Sequence, residues 1–198
     1  MVRTLNRRSK RSEATRESIL RAAAKVFRER GFADTGMREI AAAAELSPGN
    51  LYYYFPSKAD ILFFCQSHSV ERMLRELADL EKQALPPDEL LRRAIAAHLL
   101  CTLDELDGAA AHTEVQSLPE NLKTEIVARR DRYERSLRDI VARGVSSGAF
   151  RPCDPVLVTR AILGACNWTT RWYRPDGRLQ PAAIAAQYAD FLTRGLLP

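Results

Sequence analysis

Between residues 36 and 58 the chain reads GMREIAAAAELSPGNLYYYFPSK, and the second half of that stretch concentrates groups able to hydrogen-bond a nucleic acid. Ser47 and Asn50 offer short polar side chains that can meet base edges or phosphate oxygens. They fall where a helix would begin, and N–H groups at a helix N-terminus attract anions. Gly49 lets the backbone come close to a partner. Tyr52, Tyr53 and Tyr54 are consecutive phenols and cannot share one helix face, so Leu51 and one tyrosine should anchor a core while the others point outward with hydroxyls suited to phosphate. Lys58 adds a cation where a phosphate backbone would run. No nucleophile-base pair, no paired carboxylates and no metal-ligand spacing can be picked out, and the four cysteines form no CxxC pair. The chemistry on offer is recognition rather than catalysis, so the chain is not expected to be an enzyme, and no cofactor or metal is expected.

Two short helices must position these groups. Met37, Ile40, Ala41 and Ala44 recur at helical spacing and give a small apolar face. Ser47 suits an N-cap and Pro48 the first helical position, where its missing N–H would have had no partner. Phe55-Pro56 ends the second helix, because proline disfavours helical geometry in the residue before it. Two helices joined by a three- to four-residue turn are a helix-turn-helix, whose second helix enters the major groove. Such a pair can also be an ordinary piece of an all-helical core. The SPGNLYYYFPSK run favours the DNA-reading alternative.

From Ser12 to Ile61 the chain resembles the TetR-type one-component regulators: an opening helix, ATRESILRAAAKVFRERGF, is followed by MREIAAAAELSPGNLYYYFPSKADIL. The resemblance implies that Arg38, Ser47, Gly49, Asn50, Tyr52, Tyr54 and Lys58 meet DNA; Pro48 and Tyr53 complete the candidate DNA-binding set. One departure is Gly36, where the family usually has a capping Thr or Ser. Glycine is tolerated at an N-cap, and Glu39 can still reach back to the cap N–H.

Charge is divided along the chain in the same sense. Of a net +5, residues 1–58 carry 12 Lys+Arg against 6 Asp+Glu, while residues 59–198 carry 18 against 19. The positive end is the one expected to meet a polyanion. No apolar run approaches the twenty residues of a membrane span and no apolar segment follows the basic N-terminus, so neither a membrane partner nor a signal peptide is expected and the location should be cytoplasmic. The cysteines are expected to be buried thiols.

The rest of the chain reads as helix throughout, giving an all-α fold: an N-terminal three-helix helix-turn-helix DNA-binding domain plus a C-terminal helical ligand-binding and dimerisation domain. The expected divisions are a basic disordered arm over 1–11, the DNA-binding domain over 12–58 and the effector and dimerisation domain over 59–198. A first helix carries Ile19, Ala23, Val26 and Phe27 inward and ends at Gly31. A long helix runs from Ser57 to about Gln83, opened by Ser57 with Asp60 in capping-box register. Further helices are expected over 88–106, 109–118, 120–147, from Asp154-Pro155 to about Tyr173, and from Pro181 to about Gly195.

His98 and Thr102 lie on an apolar stripe. Either they are satisfied within the core, or they line a ligand cavity to which His112 and Gln116 also contribute. Trp168, Trp172 and Tyr173 stand beside the small residues Ala161, Gly164 and Ala165, and Ile184, Tyr188, Phe191 and Leu192 supply a neighbouring helix. That reads as a homodimer surface, with an intramolecular core as its alternative. TetR-type proteins dimerise through their last two helices, and the resemblance implies the same here.

The segment GVSSGAFRPCDPVLVTRAILGACNWTTRWYRPDG further resembles the acyl-CoA-responsive subgroup. It implies a small hydrophobic effector, an acyl-CoA thioester, whose phosphates meet Arg171 or Arg174 near Trp168 and Trp172; a drug-like hydrophobic effector, as in efflux regulators, is the alternative. The expected function is a ligand-responsive repressor that binds a palindromic double-stranded DNA operator as a dimer. The rivals from other classes are an all-helical enzyme and a non-specific DNA binder.

Overall fold

The computed structural model describes residues 2–103 and 115–198, with side chains described from Ser12 onward. Among them the architecture is all-helical: α1 (Val2–Arg30), α2 (Met37–Ala43), α3 (Pro48–Tyr54), α4 (Lys58–Glu81), α5 (Pro87–Leu103), a 3-10 turn (Val115–Ser117), α6 (Glu120–Ser146), α7 (Pro155–Trp172) and α8 (Pro181–Arg194). The chain falls into two compact units, Met1–Gln66 with Glu105–Lys123 and Ser67–Asp104 with Thr124–Pro198. The division at Gln66 lies beyond the expected boundary at 58, because Ile61, Leu62 and Cys65 in the first turns of α4 are completely buried. The expected helix over 109–118 is described only from Val115, as the 3-10 turn.

In the first unit α1 packs on α2 and α2 on α3, and Ile19, Ala23, Ala24 and Phe27 of α1, Ile40 and Ala41 of α2 and Leu51 of α3 are all buried. Gly31, at φ 81°, ends α1 with its N–H donating to the Phe27 carbonyl at 2.8 Å, the left-handed cap its position suggests. The backbone of α1 is helical from Val2, and no glycine or proline interrupts residues 2–30.

The turn between α2 and α3 closes as a Schellman motif. The Leu46 N–H donates to the Ala41 carbonyl at 2.9 Å and the Glu45 N–H to that of Ala42 at 3.1 Å. This requires the left-handed region at Glu45, whose φ is 56°. A Cβ is disfavoured there, so the reading head carries a small strain that only a glycine would relieve.

The second unit is held by one core. Leu91, Ile95 and Leu99 of α5 meet Leu137, Ile140 and Val141 of α6, Ile162 and Cys166 of α7, and Ala185 and Ala189 of α8. The termini follow their caps: the Asp154 carboxylate accepts from the Val156 N–H at 2.8 Å and the Leu157 N–H at 3.3 Å, and prolines open α7 and α8. Arg129 bridges to Glu71 and Arg143 to Glu81, tying α6 to the later turns of α4. Gly144 leaves room for the Phe150 ring, one of whose carbons would lie 2.0 Å from an added Cβ. The tightness of the α2–α3 turn is testable: Glu45→Gly should raise unfolding free energy by about 1 kcal/mol, read from the urea midpoint. A midpoint that falls would show the left-handed turn to be supported by the Glu45 side chain instead.

Candidate functional site

α3 is only seven residues long and is assembled from its two ends. At its start Ser47 Oγ accepts from the Asn50 N–H at 3.2 Å. The hydroxyl hydrogen is not consumed by that bond, so Ser47 can still donate to a phosphate or base. Pro48 occupies the first position, and the Phe55 N–H closes on the Leu51 carbonyl at 3.0 Å. Leu51 is completely buried and is the residue that pins the helix to the fold.

At about 100° per residue, the side opposite Leu51 is centred on Gly49 and Tyr53, with Asn50 and Tyr52 flanking them. All four are exposed, Tyr53 to 78%. Nothing lies within 4 Å of a Cβ added to Gly49, so the fold itself does not demand a glycine there. Tyr54 is half-buried and meets Tyr53 edge-on, with ring centroids 5.2 Å apart. It is the tyrosine turned towards the core. Pro48, Ser47 and Arg38 are exposed. At the head of α2, the Gly36 N–H donates to Glu39 Oε2 at 2.8 Å and Arg30 pairs with the same carboxylate, so the cap survives without a hydroxyl at position 36. The site therefore presents a convex rod of hydroxyls, an amide and backbone, suited to a groove rather than to enclosing a small substrate.

Lys58 is placed differently from the expectation. Its ammonium donates to the Phe32 carbonyl at 2.6 Å and the Ala33 carbonyl at 3.1 Å, and it stands 4.5 Å from the Phe32 ring centroid. Two of its three protons serve the connection between α1 and α2.

In the second unit His98 and Thr102 are buried and satisfied. His98 Nε2 faces Asn167 Oδ1 at 3.2 Å, which places the proton on Nε2; Nδ1 then accepts from the Tyr133 hydroxyl, also at 3.2 Å. Thr102 Oγ1 donates to the His98 carbonyl at 2.8 Å. Burial pushes the His98 imidazole down to about 4, against a smaller upward pull from Asn167, and it raises Tyr133 too. The Cys166 thiol, buried beside them, is pushed up to about 12. Of the two alternatives for His98 and Thr102, the satisfied core is the one this geometry fits. Gln116 is exposed on the 3-10 turn, not enclosed as a lining residue would be, and His112 lies outside the described residues.

Trp168, Arg171 and Trp172 are the other residues expected to meet the effector. All three are exposed on α7, because the buried stripe of that helix is Thr159, Ile162, Cys166 and Thr169. Of the residues expected at a dimer surface, Ala161 and Phe191 are exposed, Phe191 to 77%; Ala165, Tyr173, Tyr188 and Leu192 are partly so, and Trp172 leans on Tyr188 with centroids 6.4 Å apart. Ile184 is the exception. It is buried and belongs to its own chain's core. A groove of about 480 Å³ runs between α7 and α8, floored by Ile162 and Leu196 and flanked by Ala161 and Phe191. Sequence reasoning missed Asn167, whose exposed backbone position hides a side chain that turns back to His98.

The family described as "Bacterial regulatory proteins, tetR family" matches residues 19–63, and "Tetracyclin repressor-like, C-terminal domain" matches residues 84–196. The chain is similar to the HTH-type transcriptional repressor KstR2 of Mycolicibacterium smegmatis, 28% identical over 192 residues that cover 91% of this chain and 90% of that protein. Among solved structures it is similar to the TetR-family transcriptional regulator PfmR from Thermus thermophilus, with a TM-score of 0.82, 35% identity and coverage of 91% and 99%. It is also similar to AibR in complex with isovaleryl coenzyme A and operator DNA, with a TM-score of 0.76, 26% identity and coverage of 93% and 98%. No described helix is long and apolar enough to cross a membrane.

The His98 geometry has a pH consequence. An imidazole held neutral in the fold titrates near 4 but near 6.5 when unfolded, so the unfolded chain binds more protons between those values. Its contribution is whole above pH 6.5 and is lost as pH falls towards 4, by up to about 3 kcal/mol. Urea unfolding from pH 7 to 4 should show this slope and the His98→Leu variant should lack it; equal slopes would contradict a neutral buried imidazole.

Proposed function

The chain belongs to the TetR family of bacterial transcriptional regulators, and on that footing we propose that it represses from a palindromic operator as a homodimer and lets go when an acyl-CoA thioester binds. The observation that carries the DNA-reading part is the exposed side of α3, where Gly49, Asn50, Tyr52 and Tyr53 stand clear while Leu51 alone is buried. Ser47, Pro48 and Arg38 flank that side and would fix its register on phosphate. Tyr54, half-buried, would act chiefly by steadying Tyr53.

The homodimer reading is supported by a self-complementary pattern on α7. Leu157, Ala161, Gly164, Ala165, Trp168 and Trp172 fall within roughly 100° of the helix circumference. Leu157 and Trp168 are 64% and 66% exposed, more than apolar side chains of a lone chain need be. In an antiparallel two-fold crossing centred between Gly164 and Ala165, Ala161 would sit opposite the partner subunit's Trp168, and Leu157 opposite the partner subunit's Trp172. The small Ala161 would leave room for the partner subunit's Trp168, and the two-fold axis would repeat that contact in reverse, as an isologous interface requires. Phe191, Tyr188 and Leu192 of α8 extend the same face. Two reading heads on such a dimer would match half-sites about 34 Å apart or a multiple of it.

The acyl-CoA reading is supported by the likeness to AibR, whose complex holds isovaleryl coenzyme A and operator DNA. Arg171 and Arg174 are exposed at the end of α7, where phosphates can reach them. Trp168 and Trp172 belong to the dimer face in this account, and His98 and Thr102 to the core. Release requires the effector to bind the operator-free form more tightly than the operator-bound form. In fluorescence anisotropy of the full chain on its operator, long-chain or ring-bearing acyl-CoA should free the DNA and the matching free acids should not. Equal release by the free acids would overturn the CoA assignment.

A further inference from the structure

We propose that Lys58 is a positioning residue of the α2–α3 pair: from the first residue of α4 it ties down the carbonyls of the loop that follows α1, and so fixes the connection from which α2 and α3 hang. The inference rests on α3 being the DNA-reading helix. A cation at the start of a helix sits at the positive end of the helix dipole and gains nothing from it. Lys58 occupies that position in α4, with Ser57 as the cap: Ser57 Oγ accepts from the Asp60 N–H at 3.2 Å and donates to Asp60 Oδ2 at 2.6 Å. Its compensation comes from elsewhere. The side chain reaches back 26 residues in sequence to the carbonyls of Phe32 and Ala33, at 2.6 and 3.1 Å, and over the Phe32 ring.

Those carbonyls lie just past Gly31, where α1 has ended and its last C=O groups have no helical donors. The cation therefore binds the connection that follows α1, at the two residues after Gly31. The same connection is tied onward: Thr35 Oγ1 donates to the Gly31 carbonyl at 2.7 Å, and Glu39 joins the Gly36 N–H to Arg30. Three helices are thus set from one short loop. With two protons committed to these carbonyls, only the third is left for a phosphate.

The two roles differ in what binding measurements read. Lys58→Met keeps the apolar stem and removes the charge. Affinities of the full chain for its operator and for an unrelated duplex are measured across a salt series, below the thermal transition of each variant. Positioning predicts that operator affinity falls roughly tenfold while affinity for the unrelated duplex and the slope of log K against log salt stay as in the wild type. A phosphate contact predicts that both affinities fall together and the slope shrinks by about 0.9, and that result overturns the proposal. Unchanged operator affinity also overturns it. If Lys58→Met does not fold, Phe32→Leu removes the ring beneath the ammonium and leaves the charge; it should show the same selective loss. A wild-type chain with no preference for any duplex sequence would instead defeat the DNA-reading premise, and the two failures are distinct.

Discussion

A helix of seven residues does not hold itself together in water, since nucleation costs more than so few hydrogen bonds return. α3 is such a helix, and everything it presents depends on Leu51 being buried beneath it and on Ser47 and Phe55 closing its ends. Because one side chain carries the anchoring, the remaining positions are left for recognition. A longer helix would bury more of itself and leave less of its circumference to a groove. The brevity enforced by Phe55-Pro56 is thus part of the function.

The supports around α3 carry small conformational costs that the fold tolerates. Glu45 takes a left-handed turn that glycine would take more easily, and Gly36 starts α2 with no capping hydroxyl while Glu39 still accepts from the Gly36 N–H. In the second unit the contrast is between a closed interior and an open face. His98, Tyr133 and Asn167 satisfy one another across α5, α6 and α7, which fixes the relative rotation of three helices through polar geometry that apolar packing alone would leave looser. Outside them, α7 and α8 leave Leu157, Trp168 and Phe191 in contact with solvent. A rigid polar centre behind an apolar face suits the homodimer proposed above.

What could be read from the sequence was what is decided locally. Ser47-Pro48, Ser57 with Asp60, Asp154-Pro155, Pro181 and Gly31 each mark a helix end, because caps depend on residues within a turn of one another. The all-helical fold and the exposed side of α3 follow from the same short-range rules. Three features were not legible. Lys58 finds its carbonyls 26 residues away, and His98 finds Tyr133 and Asn167 at separations of 35 and 69, distances over which spacing carries no signal. Ile184 and Phe191 are both apolar and only seven residues apart, yet one is buried and the other exposed. They lie within about 20° of one another around α8, so helical spacing could not tell them apart.

The account stands on α3 reading DNA from both halves of a two-fold dimer. Selection of bound sequences from a random duplex pool by the full chain tests both at once. The account predicts an inverted repeat with half-sites spaced by a helical turn or a multiple of it, and with Ala161→Arg, which puts a charge on the α7 face, the recovery of single half-sites or of no consensus. An asymmetric consensus from the wild-type chain, or the same inverted repeat from Ala161→Arg at equal affinity, would contradict it.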